Sequence, residues 1–502
     1  MFNNNLLRKD RLVMGIFFIV ISTIFVFVCS TTTSPFLGTP VSGDSAMFQI
    51  IGKYWSKGKM PYIGLWDSKG PFIFFINALG YSIINSSLGV LLIQIINLTV
   101  IEIFIYKIYR IEFSKQKSFF LLIISLITLI YPYEGGNLTE EYVLSFITIS
   151  FFLLFKWCDS VKLDKVDHNP KWSFFYGACF SLCFLTRITN AIGVCIGIGI
   201  VFIYLVIKRR WKNIIYNTCY FILGFMIFTL PFILYFYLNG ILEEMLYGTI
   251  FYNIDYAGVT NFRIEPTSIK GFIVYLNTYG LCLVGIIILI TNKKERISGI
   301  MWTIIGGVTH IWLLKCLEYS HYIMISLPYF CISIVELHRI YINQRHLFVK
   351  RIIGIMIIYF IFIGLVGGTK GLKTALTSYY NYYTMSVKES QEAIDVMVDM
   401  YNKIPNNEKK SFVAYNCESG LYLKLDVCPY YRFFTLQDWA ASRSETLPPK
   451  IQNTFMNGNV EWILVSDYGY VGIQKILDER YKCIGEREVL NSTYKLKLYH
   501  LK

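Results

Sequence analysis

Residues 43–71 read GDSAMFQIIGKYWSKGKMPYIGLWDSKGP. They follow the apolar run Leu12–Cys29, which is long enough to enter a bilayer and is preceded by Arg8, Lys9 and Arg11. Met47, Ile50, Ile51, Tyr54 and Trp55 recur at helical spacing, and a second short apolar helix, 72–84, begins after Pro71. The segment therefore reads as two interfacial helices joined by a turn rich in Gly and Pro, with aromatics and lysines in the headgroup layer. Asp44 stands where a carboxylate caps a helix. The charges are the unusual part: Lys53, Lys57, Lys59 and Lys69 share this stretch with Asp44 and Asp67. Ionisable groups beside a membrane are functional candidates by default.

The rest of the chain supplies the membrane. Hydrophobic residues make up 55% of 502 and charged residues 16%, with mean hydropathy +0.48. A soluble domain carries about 25% charged residues, and a disordered chain lacks this many aromatics. A polytopic membrane protein remains. Its net charge of +14 would suit nucleic acid, unless the basic residues fall in cytoplasmic loops.

They do. After the first run come Leu88–Tyr109, Phe119–Tyr133, Tyr142–Trp157, Trp172–Leu185, Ala191–Ile207, Ile214–Leu238, Ile269–Ile290, Ile297–Leu314, Tyr322–Val335 and Ile352–Val366. That makes about 11 spans. With the N-terminus inside, Lys107 to Lys117, Lys156 to Lys171, Lys208 to Lys212, Lys293 to Arg296 and Arg339 to Arg351 all lie in cytoplasmic turns. The opposite loops are poor in basic residues, except 43–71. An odd number of spans puts the C-terminus outside. The expected fold is thus an all-α polytopic bundle, N-in and C-out. The division is a transmembrane domain over 1–368, with interfacial loop 44–86, and an extracytoplasmic α/β domain over 369–502. In that tail Ser390–Lys403 has helical spacing, and Phe412–Tyr415 and Trp462–Val465 read as short buried strands.

Most of the twelve cysteines lie in spans and pack as small hydrophobes. The spacing leaves a Cys417–Cys428 bridge open. Neither G-x-x-x-x-G-K-[ST] nor G-x-G-x-x-G occurs, which argues against an ATP-driven pump or a nucleotide-sugar Rossmann enzyme.

A second polar island, Tyr131 to Tyr142 (YPYEGGNLTEEY), falls on the same outside face as Asp44. Its carboxylates, Glu134, Glu140 and Glu141, have no basic residue among them. The plain alternative is a solvated hairpin with Thr139 as helix cap. The functional reading pairs Glu140 or Glu141 with Asp44, either to hold a divalent cation through hard oxygen ligands or to make one carboxylate a general base. Glu243, Glu244 and Asp255 belong to a long outside loop, 239–266, which also has the length of a lid over a substrate.

Three elements resemble the integral-membrane C-type glycosyltransferases. The branch is the one related to dolichyl-phosphate-mannose:protein mannosyltransferases and the lipid A aminoarabinose transferase (glycosyltransferase 39-like). They are the acid after the first span, Gly43-Asp44; the aromatic–acid–x–Lys–x–Pro element, Trp66-Asp67-Ser68-Lys69-Gly70-Pro71; and the acid opening the fourth span, in Asn137-Leu138-Thr139-Glu140-Glu141. His321-Tyr322 before Pro328 adds a weaker likeness. The chain departs from many relatives in having Asp44-Ser45 for Asp-Glu and Ser68-Lys69-Gly70-Pro71 for His-Lys-Pro-Pro. The resemblance implies transfer of a sugar from a polyprenyl-phosphate donor to an envelope glycan, glycolipid or protein on the outer face of the plasma membrane. Asp44, with Glu140 and Glu141, is the catalytic set. Lys69, Arg187 and Arg263 serve the lipid phosphate, Asp67 orients Lys69, and His321 and Tyr322 complete the substrate residues. No cofactor is assigned, and a divalent metal ion on Asp44, Asp67 and Glu141 stays open. The rival readings are a lipid-linked sugar flippase, against which no second copy of the acid–Lys–Pro element is found, and a noncatalytic envelope assembly protein working through its outside domain.

Overall fold

The computed structural model describes residues 2–38, 43–259, 277–278, 280–292, 295–316, 319–384, 388–467, 471–489 and 494–502. The fold is mostly helical with one small sheet. Eight helices among the described residues are long and apolar enough to cross a membrane. The expected count is higher because three of the eleven apolar runs form helices outside that set: Pro170–Phe184, Gly280–Thr291 and Arg296–Cys316. Each of the other eight runs lies within one of the eight long helices.

The chain divides into two compact units. The first comprises residues 1–30, 92–234 and 261–376 and is a helical bundle. Its centre is set by two segments, Thr139–Lys162 and Ser320–Asn343, whose apolar windows are 72% and 83% buried. Trp211–Leu238, at 17%, lies on its rim, where apolar side chains face lipid. In lipid there is little hydrophobic gain from pairing helices, so close backbone approach matters more. Gly364, Gly368 and Gly371 of the 38-residue helix Leu347–Thr384 show this. A Cβ at each would strike Thr128, the Ile127 carbonyl oxygen or the Tyr131 backbone of Lys115–Tyr133. Gly177 and Gly224 meet reciprocally, each against a backbone carbonyl of the other helix.

The bundle holds two clusters of paired charges, apart from the exposed pair Arg210–Asp167. One joins Arg339 to Glu112 at 2.6 Å and to Asp159 at 2.8 Å, and Lys162 to Asp159 at 3.2 Å and Glu295 at 3.0 Å. The other gathers Glu134, Glu140, Arg187 and His321, described below.

The second unit comprises residues 31–91, 235–260 and 377–502. Thus the loop after the first helix and the tail fold together. The tail holds a four-stranded sheet, β1 Phe412–Tyr415, β2 Trp462–Ser466, β3 Tyr481–Glu488 and β4 Lys495–Leu501, in the order β1-β2-β4-β3. β1 and β2 are parallel; β4 is antiparallel to β2 and β3. Both strands read from sequence are buried at every position, as continuous apolar runs require. Helix Lys388–Asn402 covers the expected Ser390–Lys403 segment except its last residue. Helix Leu347–Thr384 runs through residue 369 without interruption.

The loop itself differs from an interfacial segment. Helix Asp44–Trp55 is buried at every residue from Ser45 to Tyr54. Its lysines are tied within the unit rather than spread over headgroups: Lys53 pairs with Asp426 at 2.7 Å, and Lys59 donates to the Pro429 carbonyl. Lys57 sits over the Tyr54 ring. Cys417, buried, and Cys428, exposed, are free thiols, so the bridge left open by their spacing is not formed.

Candidate active site

The candidate residues occur as two sets, one in each compact unit. In the second unit, Gly43 (φ 87°) is the N-cap of helix Asp44–Trp55, and no side chain caps the helix. Asp44 is therefore not a capping residue. Its Oδ2 stands 3.8 Å from Lys69 Nζ, and both side chains keep partial exposure, 34% and 24%. Pro71 starts the next helix, Pro71–Ile83, at a position where its missing N–H costs nothing. Lys69 thus lies at the end of the turn 66–70.

That turn is pinned through its backbone. Tyr62 OH donates to the Lys69 carbonyl at 2.9 Å, Asn253 Nδ2 donates to the Ser68 carbonyl at 2.7 Å, and Ser68 N–H donates to Asp67 Oδ1 at 2.7 Å. Tyr62 is fully buried in the left-handed region (φ 68°), its ring against Phe74 and Phe236. Asp67 is buried, and its Oδ2 has no hydrogen-bond partner among the described residues. Burial pushes its carboxyl above the ordinary range; Lys69 pulls it down, Asp44 pushes it up, and the Ser68 N–H pulls it down.

In the first unit, Glu134, Glu140, Arg187, His321 and Tyr322 come together. Arg187 pairs with Glu140 Oε1 at 3.2 Å and lies 3.5 Å above the Tyr322 ring centre. Glu140 Oε2 accepts from Thr139 Oγ1 at 2.8 Å, so Thr139 binds the neighbouring carboxylate instead of capping the helix. His321 Nδ1 is 2.6 Å from Glu134 Oε2, and the Ser320 N–H donates to Glu134 Oε1 at 2.9 Å. Burial alone would raise the Glu134 carboxyl, but His321 and Ser320 outweigh it and hold it below its ordinary value. The His321 ring stacks on Tyr319 and meets Tyr322 edge-on.

Glu141 is of another kind. It is 2% exposed and accepts from Gln94 Nε2 at 3.1 and 3.0 Å, from Tyr133 OH at 2.6 Å and from the Asn137 N–H at 2.7 Å. Its oxygens are committed to holding the Tyr131–Tyr142 loop on helix Ser87–Tyr109. The three acids with no basic residue among them thus find partners distant in sequence: Gln94, Arg187 and His321. Arg263 lies outside the described residues. Asn253, Gln94 and Tyr62 carry no motif of their own and were not among the expected site residues. In the sequence Glu134 is one of three loop acids with nothing to set it apart.

Among the described residues no three His, Cys, Asp or Glu side chains form a group that could hold a metal ion. Asp44 and Asp67 belong to one unit and Glu141 to the other.

The helical bundle, the acid–lysine turn after the first helix and the small α/β tail make up a fold shared with solved membrane proteins. The fold is similar to that of ArnT from Cupriavidus metallidurans, solved in the apo state (TM-score 0.58, 11% identity, 98% of each chain covered) and bound to undecaprenyl phosphate (TM-score 0.57, 11% identity, 96% of this chain and 97% of that one). It is also similar to the arabinofuranosyltransferase AftD from Mycobacteria (TM-score 0.52, 9% identity, 97% of this chain and 40% of that one). No curated protein matches the sequence. Residues 7–352 match the model of the putative competence-induced protein Ccs4 N-terminal domain, and the chain belongs to that family.

Proposed function

We propose that this membrane protein transfers a sugar from a polyprenyl-phosphate donor to an envelope glycan, glycolipid or protein acceptor on the outer face of the plasma membrane. The observation that carries the reading is the Asp44–Lys69 pair on a turn fixed by Tyr62 and Asn253, with the buried Asp67 beside it. Sugar transfer from a phosphate-linked lipid needs a group to take the acceptor hydroxyl's proton and positive charge on the departing phosphate. Asp44, partly exposed, is the general base. Lys69 is the phosphate-binding cation, held in place by Asp67. Glu140, Arg187, His321 and Tyr322 supply aromatic faces, carboxylates and N–H donors suited to sugar hydroxyls and phosphate oxygens. Support for the lipid donor comes also from ArnT, which shares the fold and was solved with undecaprenyl phosphate bound.

The test is Asp44→Asn in membranes supplied with a labelled polyprenyl-phosphate sugar. The substitution preserves size and removes the proton acceptor, so transfer should fall by about 100-fold or more. Undiminished transfer at normal expression would remove Asp44 from the chemistry.

A further inference from the structure

Turn 66–70 has backbone bonds to Tyr62 and Asn253, but Trp66, its first residue, reaches further along the chain. Its N–H donates to the Arg432 carbonyl at 2.9 Å. Its ring, 8% exposed, packs edge-on against Tyr252, centroids 5.0 Å apart, and against Phe433, at 5.2 Å. Tyr252 is 1% exposed and donates to the Ala440 carbonyl at 3.2 Å, so one jaw is itself fixed by the tail. Tyr247 OH lies within hydrogen-bonding distance of Ser444 and Thr446, at 3.2 and 2.7 Å. With Lys53–Asp426 and Lys59–Pro429, every one of these tail contacts falls within residues 426–446. This stretch is a strap between two short helices, Gly420–Leu425 and Leu447–Met456, with only Gln437–Ala441 helical inside it.

We infer that the strap 426–446 is the positioning element for the Asp67-Ser68-Lys69 turn, acting through Phe433 and the Arg432 carbonyl on Trp66. The residues along the turn move as one rigid piece: Trp66 is bonded at its N–H, Ser68 and Lys69 at their carbonyls, and Pro71 fixes the exit. Removing the Phe433 ring takes away one wall of the Trp66 slot and leaves a void that the indole can tilt into. A tilt at Trp66 is carried one peptide unit along to Asp67 and three to Lys69. The tail therefore contributes to donor use by fixing Lys69, and Phe433 is a positioning residue that touches no substrate. The inference rests on the proposed phosphate role of Lys69 for its kinetic consequence, but not for its structural one.

The experiment separates the two. In purified full-length protein carrying Ser68→Cys, where position 68 is buried, labelling by a charged maleimide is read by mass spectrometry on the peptide that carries position 68, apart from the exposed native thiols such as Cys428. Phe433→Ala should raise the labelling rate at least about tenfold, and Phe433→Tyr should restore it. On the wild-type background Phe433→Ala should raise KM for the polyprenyl-phosphate sugar by a similar factor, with kcat changed far less. Leu498→Ala, a buried sheet residue away from the strap, provides the control for general loosening and should leave both readouts near wild type. Unchanged labelling in Phe433→Ala overturns the positioning role whatever the activity. Increased labelling in a chain whose wild type transfers no sugar keeps the positioning role and refutes the glycosyltransferase reading. If Phe433→Ala does not accumulate, Trp66→Phe narrows the same slot occupant and is read by the same two measurements.

Discussion

At the residue scale the buried Asp67 carboxyl makes the sharpest statement. Its raised pKa means that it takes up a proton at a pH where an ordinary carboxylate, near about 4, stays charged. Once protonated it no longer attracts the Lys69 ammonium. Transfer should then fall as pH drops through a value above the ordinary carboxylate range, and Asp67→Asn should abolish that limb while lowering the plateau. A kcat/KM profile over the acidic range decides it; an identical acid limb in Asp67→Asn would sink the idea. The same shift has the opposite sign for stability: the folded chain binds this proton more tightly than the unfolded one. The contribution favours folding at low pH and is lost as pH rises through the folded value. Asp44, Asp67 and Lys69 were legible in the sequence because they sit at short fixed spacings on charges of unexpected sign. Their supports were not. Asn253 lies 185 residues from Ser68, and His321 lies 187 from Glu134; such pairings exist only in the folded chain. Arg187 was legible as a cation but not as the partner of Glu140.

At the scale of elements the glycines of Leu347–Thr384 carry a prediction. Gly364, Gly368 and Gly371 let this helix touch the backbone of Lys115–Tyr133. Gly368→Leu would place a branched side chain against the Ile127 carbonyl, where overpacking costs about 1–3 kcal/mol even when neighbours can shift. The variant should lose thermal stability in detergent, whereas Gly199→Leu, whose Cβ position is open, should not. Equal melting of the two variants would refute the close-packing role. The span expected over Ile352–Val366 continues as helix through Gly367, Gly368 and Gly371. In water such a run disfavours a helix, but in a bilayer small residues are helix contacts. Apolar runs were legible as helices because a span must satisfy its own backbone. Strand β3 was not, because its burial is confined to Tyr481 at one end and it shows no apolar alternation. The buried helix Asp44–Trp55 was read as interfacial for a related reason: what covers Lys53 and Lys59 lies in residues 426–429, far along the chain.

At the scale of the whole molecule the question is which side each charge faces. The alternation of spans assigns Glu112, Asp159, Lys162, Glu295 and Arg339 to one side, and Glu134, Glu140, Arg187 and His321 to the other. Within the bundle unit, the first five are joined to one another by ion pairs, and the latter four make two pairs of their own linked through Tyr322. A mistake of one span anywhere between residues 112 and 339 would have placed members of these pairs on opposite faces. The pairs are those that the expected alternation requires, and the lysine and arginine bias gives the alternation its expected direction. The four lysines of 43–71 do not contradict that bias. Lys53, Lys59 and Lys69 are occupied by Asp426, a carbonyl and Asp44 inside their own unit, so they are folded-state charges rather than topogenic ones. Because the tail supplies Asp426 and packs on the loop, loop and tail must share a side. A pair of reporter fusions tests this. One joined after Lys502 should read as extracytoplasmic, and one joined after Arg210, in the basic turn 208–212, as cytoplasmic. Both fusions reading cytoplasmic would put the tail and turn 66–70 inside, away from any donor presented on the outer face, and the span parity and the proposed site would fall together.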